Sequence, residues 1–279
     1  MKLSVVIPAH NEEQNIGRCV AELQAVLGGK YGIDHELIVV DDNSRDGTAQ
    51  VVEELIRDHP DVRLVRRSPP AGFGRAIRAG LDEVRGDVVA IYMADLSDDP
   101  EDLVAYYRKI GEGYDCVYGS RFMRGSRVEH YPPVKRVVNR IVNRAVQLMF
   151  WCSFNDLTNA FKAYRVGVIR DCGPFRACHF NITLEMSLGA LIRRYRIAQV
   201  PIRWYGRTWG SSNLRLREMG RKYLCTVLMM FFQRMLISDD LYAERQAAER
   251  RDSQPPPKPA DPLAGDNQSD VGLAKRAVP

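Results

Sequence analysis

The sequence has no long apolar run, and this limits how the chain can meet a membrane. The best run, YLCTVLMMFF from Tyr223, lasts ten residues before Gln233 and Arg234, whereas a membrane-spanning helix needs about 20. The amino terminus leads into LSVVIPA without a small-residue cleavage pattern, so we expect neither a transmembrane helix nor a signal peptide. The six cysteines form no CxxC pair and no zinc spacing, which favours a reducing compartment.

Acidic residues are scarce in one part of the chain. Between Tyr131 and Ile237 there are 18 Lys and Arg residues against four Asp and Glu, whereas the remaining residues carry 22 against 31. The two parts therefore have formal charges of +14 and −9, which sum to the net +5 of the chain. A basic half beside an acidic half predicts an anionic partner, either phosphate groups or a membrane surface. A solvated basic face without a partner is the alternative.

Strand and helix patterns alternate over residues 3–121. Segments with helical spacing separate five apolar runs of strand length, at 3–9, 35–42, 61–67, 87–94 and 115–121. Strands this apolar are buried on both faces of a sheet, and short helical crossovers imply parallel neighbours. The pattern predicts an α/β, doubly wound, mostly parallel sheet, which binds its ligands beyond the carboxyl ends of the strands.

The alternation breaks down after Arg121. We expect basic amphipathic helices over 134–151 and 214–236. Between them we expect a short strand with a turn over 157–165, a helix over 181–195 and a strand over 196–204. From Asp239 onwards the chain is polar and rich in Pro, so it cannot bury enough apolar surface to order itself. We therefore expect a disordered tail over 239–279.

Several segments resemble a known family. The stretches VVIPAHNEEQNI, ELIVVDDNSRDGT, the acids after the fourth strand, and YGSRF are similar to family 2 glycosyltransferases, which have a GT-A fold. Within that family the chain resembles the dolichyl- or polyprenyl-phosphate mannosyltransferase group, because LTNAFKAYR and VPIRWYGRTWGSSNL stand where that group has similar segments. The resemblance covers about residues 3–225. It implies a nucleotide-sugar donor, a divalent metal and a lipid-phosphate acceptor.

The chain departs from this group in the acidic motif and in the last segment. The usual DAD followed by LQ is here MADLS, with Met93 for the first acid and Ser97 for the Gln. Asn213 replaces the usual Lys after the second Ser, which removes one charge from the expected phosphate pocket.

The acids after the fourth strand are the candidate metal ligands. Mg²⁺ and Mn²⁺ prefer oxygen ligands, and one or two carboxylates with diphosphate oxygens can suffice. Asp95 is the expected ligand, and Asp98 is the replacement for the missing acid. The alternative is that Asp98 and Asp99 only cap the helix that Pro100 begins.

The donor and acceptor residues follow from strand ends and from the resemblance. An acid after the second strand can accept hydrogen bonds from a base or ribose, and Gly74 opens a helix whose amino terminus favours anions. The residues expected to bind the donor are Pro8, His10, Glu12, Asp41, Asp42, Gly74 and Ala94. Those expected to contact the reacting or acceptor phosphate are Arg121, Arg207, Lys135, Arg140, Thr158, Ser211 and Ser212. If the acceptor is a hydroxyl, Asp156 or Glu185 is the candidate base.

These observations predict a glycosyltransferase domain over 1–238, with a nucleotide-sugar half at about 1–125 and an acceptor half at about 126–238. We expect inverting, metal-dependent transfer of a hexose from a GDP-mannose or UDP-glucose type donor to a polyprenyl phosphate. The alternatives are transfer to a sugar hydroxyl in glycan assembly and a nucleotide-sugar-binding module without turnover. We expect peripheral attachment to the cytoplasmic face of a membrane, with an integral-membrane partner protein as an option and no nucleic-acid partner.

Overall fold

The structure is a computed structural model of the chain, and it describes residues 1–206 and 216–252. The chain divides into two compact units, Met1–Ser238 and Asp239–Pro279. The first unit contains the sheet and the candidate site. Of the expected tail, 253–279 lies outside the described residues.

The strands end close to where the apolar runs end. Within the described residues they are β1 (Leu3–Ala9), β2 (His35–Asp41), β3 (Val62–Arg66), β4 (Val88–Ile91), β5 (Cys116–Ser120), β6 (Arg127–Glu129), β7 (Lys162–Arg165), β8 (Ile197–Pro201) and β9 (Arg203–Tyr205).

The described helices are α1 (Glu13–Gln24), α2 (Thr48–Asp58), α3 (Phe73–Asp82), α4 (Pro100–Gly111), α5 (Pro133–Phe150), α6 (Val166–Cys172), α7 (Ile182–Ile192) and α8 (Leu216–Asp252), with a π-helical turn at Ala25–Lys30. Residues 239–252, which we assigned to the tail, are helical. Good helix formers such as Ala, Glu and Arg dominate this stretch, and they were outweighed in our prediction by the Pro-rich sequence that follows.

The main sheet has the strand order β3-β2-β1-β4-β7-β5-β8 among the described residues. Neighbours are parallel except at β7, which pairs antiparallel with both β4 and β5. The prediction of an α/β, mostly parallel sheet is therefore confirmed. The reversed strand β7 comes from the segment that we predicted only as a short strand with a turn.

Helices cover both faces of the sheet. Because side chains alternate along a strand, Leu3, Val5 and Ile7 of β1 pack with α1, α2 and α4 in one buried cluster. Val6 points the other way, into a second cluster with α3, α6, α7 and parts of α5 and α8. Two-sided burial explains why the strands of the parallel half read as continuous apolar runs.

A small second sheet lies beside the first. Strands β6 and β9 pair in parallel over three residues each, and the expected strand 196–204 is split by Ile202 into β8 in the main sheet and β9 in this ribbon. Neither β6 nor α6 was predicted, because segments this short carry too few residues to show a period.

Candidate active site

The carboxyl ends of β1, β2 and β4 meet at one edge of the sheet, and the backbone is unusual after each of them. Asn11, Asn43 and Leu96 have φ angles of 56°, 59° and 60°. Asn tolerates this left-handed conformation, but Leu rarely adopts it. Residues held in such conformations cluster at functional sites, which marks this edge as the candidate site.

The acid loop, residues 93–99, follows β4 and is buried despite its charges. Asp95 is 7% exposed and Asp98 4%. The Ser97 amide donates to Asp95 Oδ1 (3.1 Å), and the Tyr92 hydroxyl donates to the Asp98 carbonyl (2.5 Å). The loop is thus a fixed, buried structure that carries two carboxylates at the end of the central strand.

Asp98 carries an unsatisfied carboxylate oxygen. Its Oδ2 is buried and has no hydrogen-bond partner among the described residues. Burial raises the pKa of Asp98 well above its usual value, and the nearby Asp95 raises it further, whereas Arg121 lowers it. A cation placed between the two carboxylates would relieve both effects.

The residues present therefore fit a hard divalent cation held by two carboxylates. No group of three or more His, Cys, Asp and Glu side chains suited to a metal occurs in the described part of the chain. Mg²⁺ commonly binds to one or two carboxylates and completes its shell with water and phosphate oxygens. The helix-capping alternative holds for Asp99, whose Oδ1 accepts the Glu101 amide (2.9 Å).

Asp42 is held by protein groups on both oxygens. Oδ1 pairs with the Arg67 guanidinium, and Oδ2 accepts the Gly72 amide (2.5 Å). Asp41 Oδ1 accepts the Ser44 amide (3.2 Å) in the turn after β2. Any donor contact of Asp42 therefore has to compete with or use Arg67, which we did not single out from the sequence, although it follows β3 at the same edge.

The remaining donor-side residues lie at this edge. His10 is exposed, and its Nδ1 lies 2.8 Å from the Asp42 carbonyl. Pro8 pairs with Val40 inside the sheet, and Ala94 lies in the buried acid loop. Glu12 is buried, and its Oε2 accepts a hydrogen bond from Asn15 Nδ2 (2.7 Å).

The start of α3 is occupied by protein acceptors. The Gly74 amide donates to the Cys178 carbonyl (3.1 Å), and a Cβ at Gly74 would lie 2.5 Å from the Ala177 carbonyl oxygen. Close approach of two backbone segments therefore explains this glycine. Its amide is committed to a protein acceptor, so the helix start contributes less to anion binding than the sequence pattern suggests.

Arg121 and Asp156 form a buried ion pair beyond the end of β5. Nε and Nη2 of Arg121 donate to the two Asp156 oxygens (both 2.8 Å), and the Arg121 amide donates to Oδ2 (3.0 Å). Asp156 is fully buried and Arg121 is 9% exposed. Burial alone would lower the pKa of Arg121, but pairing with Asp156 raises it, so the guanidinium stays charged.

Three aromatic rings surround this guanidinium. The centroids of Tyr131, Phe122 and Trp204 lie 5.3, 5.7 and 6.0 Å from it. The Arg140 guanidinium lies 5.4 Å from the Phe122 ring. The rings and Asp156 fix the Arg121 side chain, and Nη1 is the guanidinium nitrogen that makes no bond to Asp156.

The loop that carries Asp156 is tied to α5 and β7. Asn143 Oδ1 accepts the Leu157 amide (2.7 Å), and Asn143 Nδ2 donates to Thr158 Oγ1 (3.0 Å). The buried Lys162 ammonium donates to the Leu157 carbonyl (2.6 Å) and to Ser187 Oγ. Burial lowers the pKa of Lys162 to about 7.

Glu185 is the second candidate base, and its carboxylate is also engaged. Its two oxygens accept the backbone amides of Arg176 and Ala177 (2.8 and 2.7 Å). In the structure Asp98 thus interacts electrostatically with both Asp95 and Arg121. Asp156 is paired with Arg121, and Glu185 is buried. Lys135 and Arg140 lie on α5, whereas Arg207, Ser211 and Ser212 lie outside the described residues.

A family model and curated relatives match this chain. The model of glycosyl transferase family 2 matches residues 4–173. A dolichol-phosphate mannosyltransferase of Pyrococcus furiosus is 29% identical over 217 residues, which are 77% of this chain and 60% of that protein. A polyprenol monophosphomannose synthase of Mycolicibacterium smegmatis is 29% identical over 216 residues, 75% of this chain and 80% of that protein. The chain thus spans less than two thirds of the archaeal relative.

Solved structures agree on the fold. Glucosyl-3-phosphoglycerate synthase from Mycobacterium tuberculosis, in complex with Mn²⁺, UDP and glucosyl-3-phosphoglycerate, superposes with a TM-score of 0.63 at 23% identity, over 82% of this chain and 79% of that one. The fold is therefore a GT-A architecture, as predicted.

Proposed function

Because the chain belongs to glycosyl transferase family 2, we propose that it transfers a hexose from a nucleotide-sugar donor to the phosphate of a polyprenyl phosphate, with inversion at the anomeric carbon. The donor lies along the carboxyl edge of β1, β2 and β4. The acceptor phosphate lies between the acid loop and Arg121.

Asp95 and Asp98 hold the divalent cation of this proposal, Mg²⁺ or Mn²⁺. When bound, such a cation neutralises the diphosphate of the donor and the charge that develops on its leaving oxygen. The orphaned Asp98 oxygen supports this assignment, as does the Mn²⁺ in the structurally similar synthase. In this proposal Nη1 of Arg121 faces the acceptor phosphate. The guanidinium is already held in place, so its side chain loses little conformational freedom when the phosphate binds.

The single observation that carries the acceptor is the exposed face of α5. On this face of the helix and at the residue that follows it, large apolar side chains are solvent-exposed, with relative exposures of 69% (Val134), 57% (Val137), 64% (Ile141), 70% (Leu148) and 89% (Trp151). Basic residues interleave with them on the same helix. A helix with an exposed apolar stripe and a basic fringe binds at a lipid surface, where apolar burial and attraction to anionic lipids add.

Helix α8 extends this apolar surface. Phe150 at the end of α5 contacts Phe231 of α8 (6.3 Å between centroids), and Phe232, Met235 and Leu236 are exposed. No helix in the described ranges is long and apolar enough to cross a membrane. We propose that both helices lie in the interface and bring the lipid acceptor to the Asp156 loop, to which Asn143 ties α5.

Transfer to a sugar hydroxyl is the rival proposal, and it needs a base. The Asp156 carboxylate is paired with the Arg121 guanidinium, and the Glu185 carboxylate accepts hydrogen bonds from two backbone amides. A phosphate acceptor is already an anion and needs no base, so the occupied carboxylates favour it.

The acceptor is tested with radiolabelled GDP-mannose and UDP-glucose, Mn²⁺, and either polyprenyl phosphate or soluble sugars. We expect label to enter the lipid fraction only with polyprenyl phosphate present and only with one of the donors. Label in a soluble glycan but not in lipid would support the hydroxyl acceptor. Thermal protection by a donor, without transfer or hydrolysis, would indicate a binding module.

The membrane surface is tested with Leu148→Asp and vesicles that contain anionic lipid. Burying a Leu side chain contributes about 1.5–3 kcal/mol, so we expect vesicle affinity to fall roughly tenfold or more. Ala105→Asp is the matched control, because Ala105 is exposed on α4 and the change adds the same charge. Equal vesicle binding by the two variants would contradict the assignment of α5 to the interface.

A further inference from the structure

We propose that Arg203 is a positioning residue for transfer, because it ties β9 to the first turn of α4 and thereby holds the acid loop in shape. The functional half of this proposal rests on the proposed transfer reaction. The structural half concerns the acid loop alone and can be measured without any substrate.

Arg203 binds two carboxylates at the start of α4. Its Nε and Nη2 donate to Asp102 Oδ1 (3.1 and 2.9 Å), its backbone amide donates to Asp102 Oδ2 (2.6 Å), and Nη1 lies 3.1 Å from Asp99 Oδ2. These residues are about a hundred positions apart in the chain, so the contact joins separate segments. Charge-assisted, forked bonds of this kind fix orientation as well as distance.

The ribbon that contains Arg203 needs such an anchor. Strands β6 and β9 pair over only three residues each, and a two-stranded ribbon this short is marginal by itself. Arg127 lies directly opposite Arg203 in the ribbon, and like charges in this position destabilise the pair. Asp99 and Asp102 pair with Arg203, and their charges offset this repulsion.

The acid loop is in turn held by β9. The Tyr205 amide donates to the Ser97 carbonyl (2.9 Å), and Asp98 forms a β-bridge with Trp204. The same loop keeps Leu96 at a positive φ of 60°, a conformation that persists only where the surroundings impose it. Loss of the Arg203 anchor therefore releases the loop that carries Asp95 and Asp98.

The test uses Arg203→Gln, with Arg203→Lys as the conservative variant. For Arg203→Gln we expect faster amide hydrogen exchange in peptides that cover residues 93–99. We also expect kcat to fall about tenfold or more, with the donor KM changed less than kcat. Arg203→Lys keeps the charge but not the fork, so both readouts should be intermediate.

Arg63→Gln is the matched control, because Arg63 also bridges two carboxylates, Glu36 and Glu83 (2.8 and 3.1 Å). That site lies away from the acid loop, so this variant should lose stability while exchange at 93–99 and kcat stay near wild type. Unchanged exchange at 93–99 in Arg203→Gln would overturn the proposal. So would a normal kcat in an active enzyme, whereas a wild-type protein without transfer would overturn the proposed function instead.

Discussion

Replacing Asp95 with Asn is expected to abolish transfer while leaving the protein folded. The side chain lies at the end of the central strand, 7% exposed, and acts electrostatically on Asp98 beside it. Removing a preorganised electrostatic contact at a reacting centre typically costs about 10²–10³ in rate, and loss of a metal ligand should cost at least as much. Transfer assays across a Mn²⁺ titration, with thermal unfolding in parallel, measure both effects.

Asp98→Asn should behave differently from Asp95→Asn. Burial raises the pKa of Asp98, so an uncharged Asn at this position avoids the cost of burying a carboxylate charge. We therefore expect a stable protein that needs more metal for the same rate. Asp61→Asn is the control, because Asp61 accepts from Gln24 (2.8 Å) at the opposite edge of the sheet. Full activity of Asp95→Asn in the presence of EDTA would refute the ligand assignment.

The second large effect is expected on stability. Asp156→Asn removes the partner of a buried guanidinium that stays charged, and breaking a buried pair in this way costs about 3–5 kcal/mol. For a domain of this size each kcal/mol corresponds to about 2–4 °C, so thermal unfolding should occur roughly 10 °C lower. Asp171→Asn is the control, because Asp171 is exposed and accepts only from Tyr195 among the described residues.

A double variant separates the stability of the Arg121–Asp156 pair from its chemistry. Arg121→Met with Asp156→Leu removes both charges, and apolar replacements of buried pairs are often neutral or stabilising. We expect only part of the stability to return, because Leu cannot accept the Arg121 backbone amide. Transfer should stay lost, because the Arg121 guanidinium is gone. If instead Asp156→Asn keeps the wild-type stability and loses only transfer to a hydroxyl acceptor, Asp156 acts as a base.

Local patterns in the sequence predicted the parallel half of the sheet. Runs such as LSVVIPA show two-sided burial directly, and the rule that ligands bind at carboxyl ends then placed Asp42 and Asp95 at one edge. The partners of these acids were not predictable in the same way. The ion pairs of Arg67 with Asp42 and of Arg121 with Asp156 join separate segments of the chain. The local spacing of residues in the sequence does not indicate which basic residue pairs with which acid.

Short elements were the other gap. Strand β8 ends before Ile202, and β9, which belongs to a different sheet, begins directly after it. The run RIAQVPIRW nevertheless looks continuous in the sequence, because both strands are partly apolar. We did not single out Arg203 from the sequence, because its role depends on ion pairs with Asp99 and Asp102, which lie far earlier in the chain. The residues at 207–213 were singled out by resemblance alone.

The reversed strand β7 has a consequence for how the chain can fold during synthesis. It is inserted between β4 and β5, although it is made after both of them. A nascent chain that ends near residue 125 would expose one edge of β4 and both edges of β5, and open edges invite pairing with other chains. We therefore expect residues 1–125 not to fold as an independent unit. The main sheet can be completed only after β7 and β8 have been synthesised, so we expect the long-range pairing of β7 to be a late and slow event.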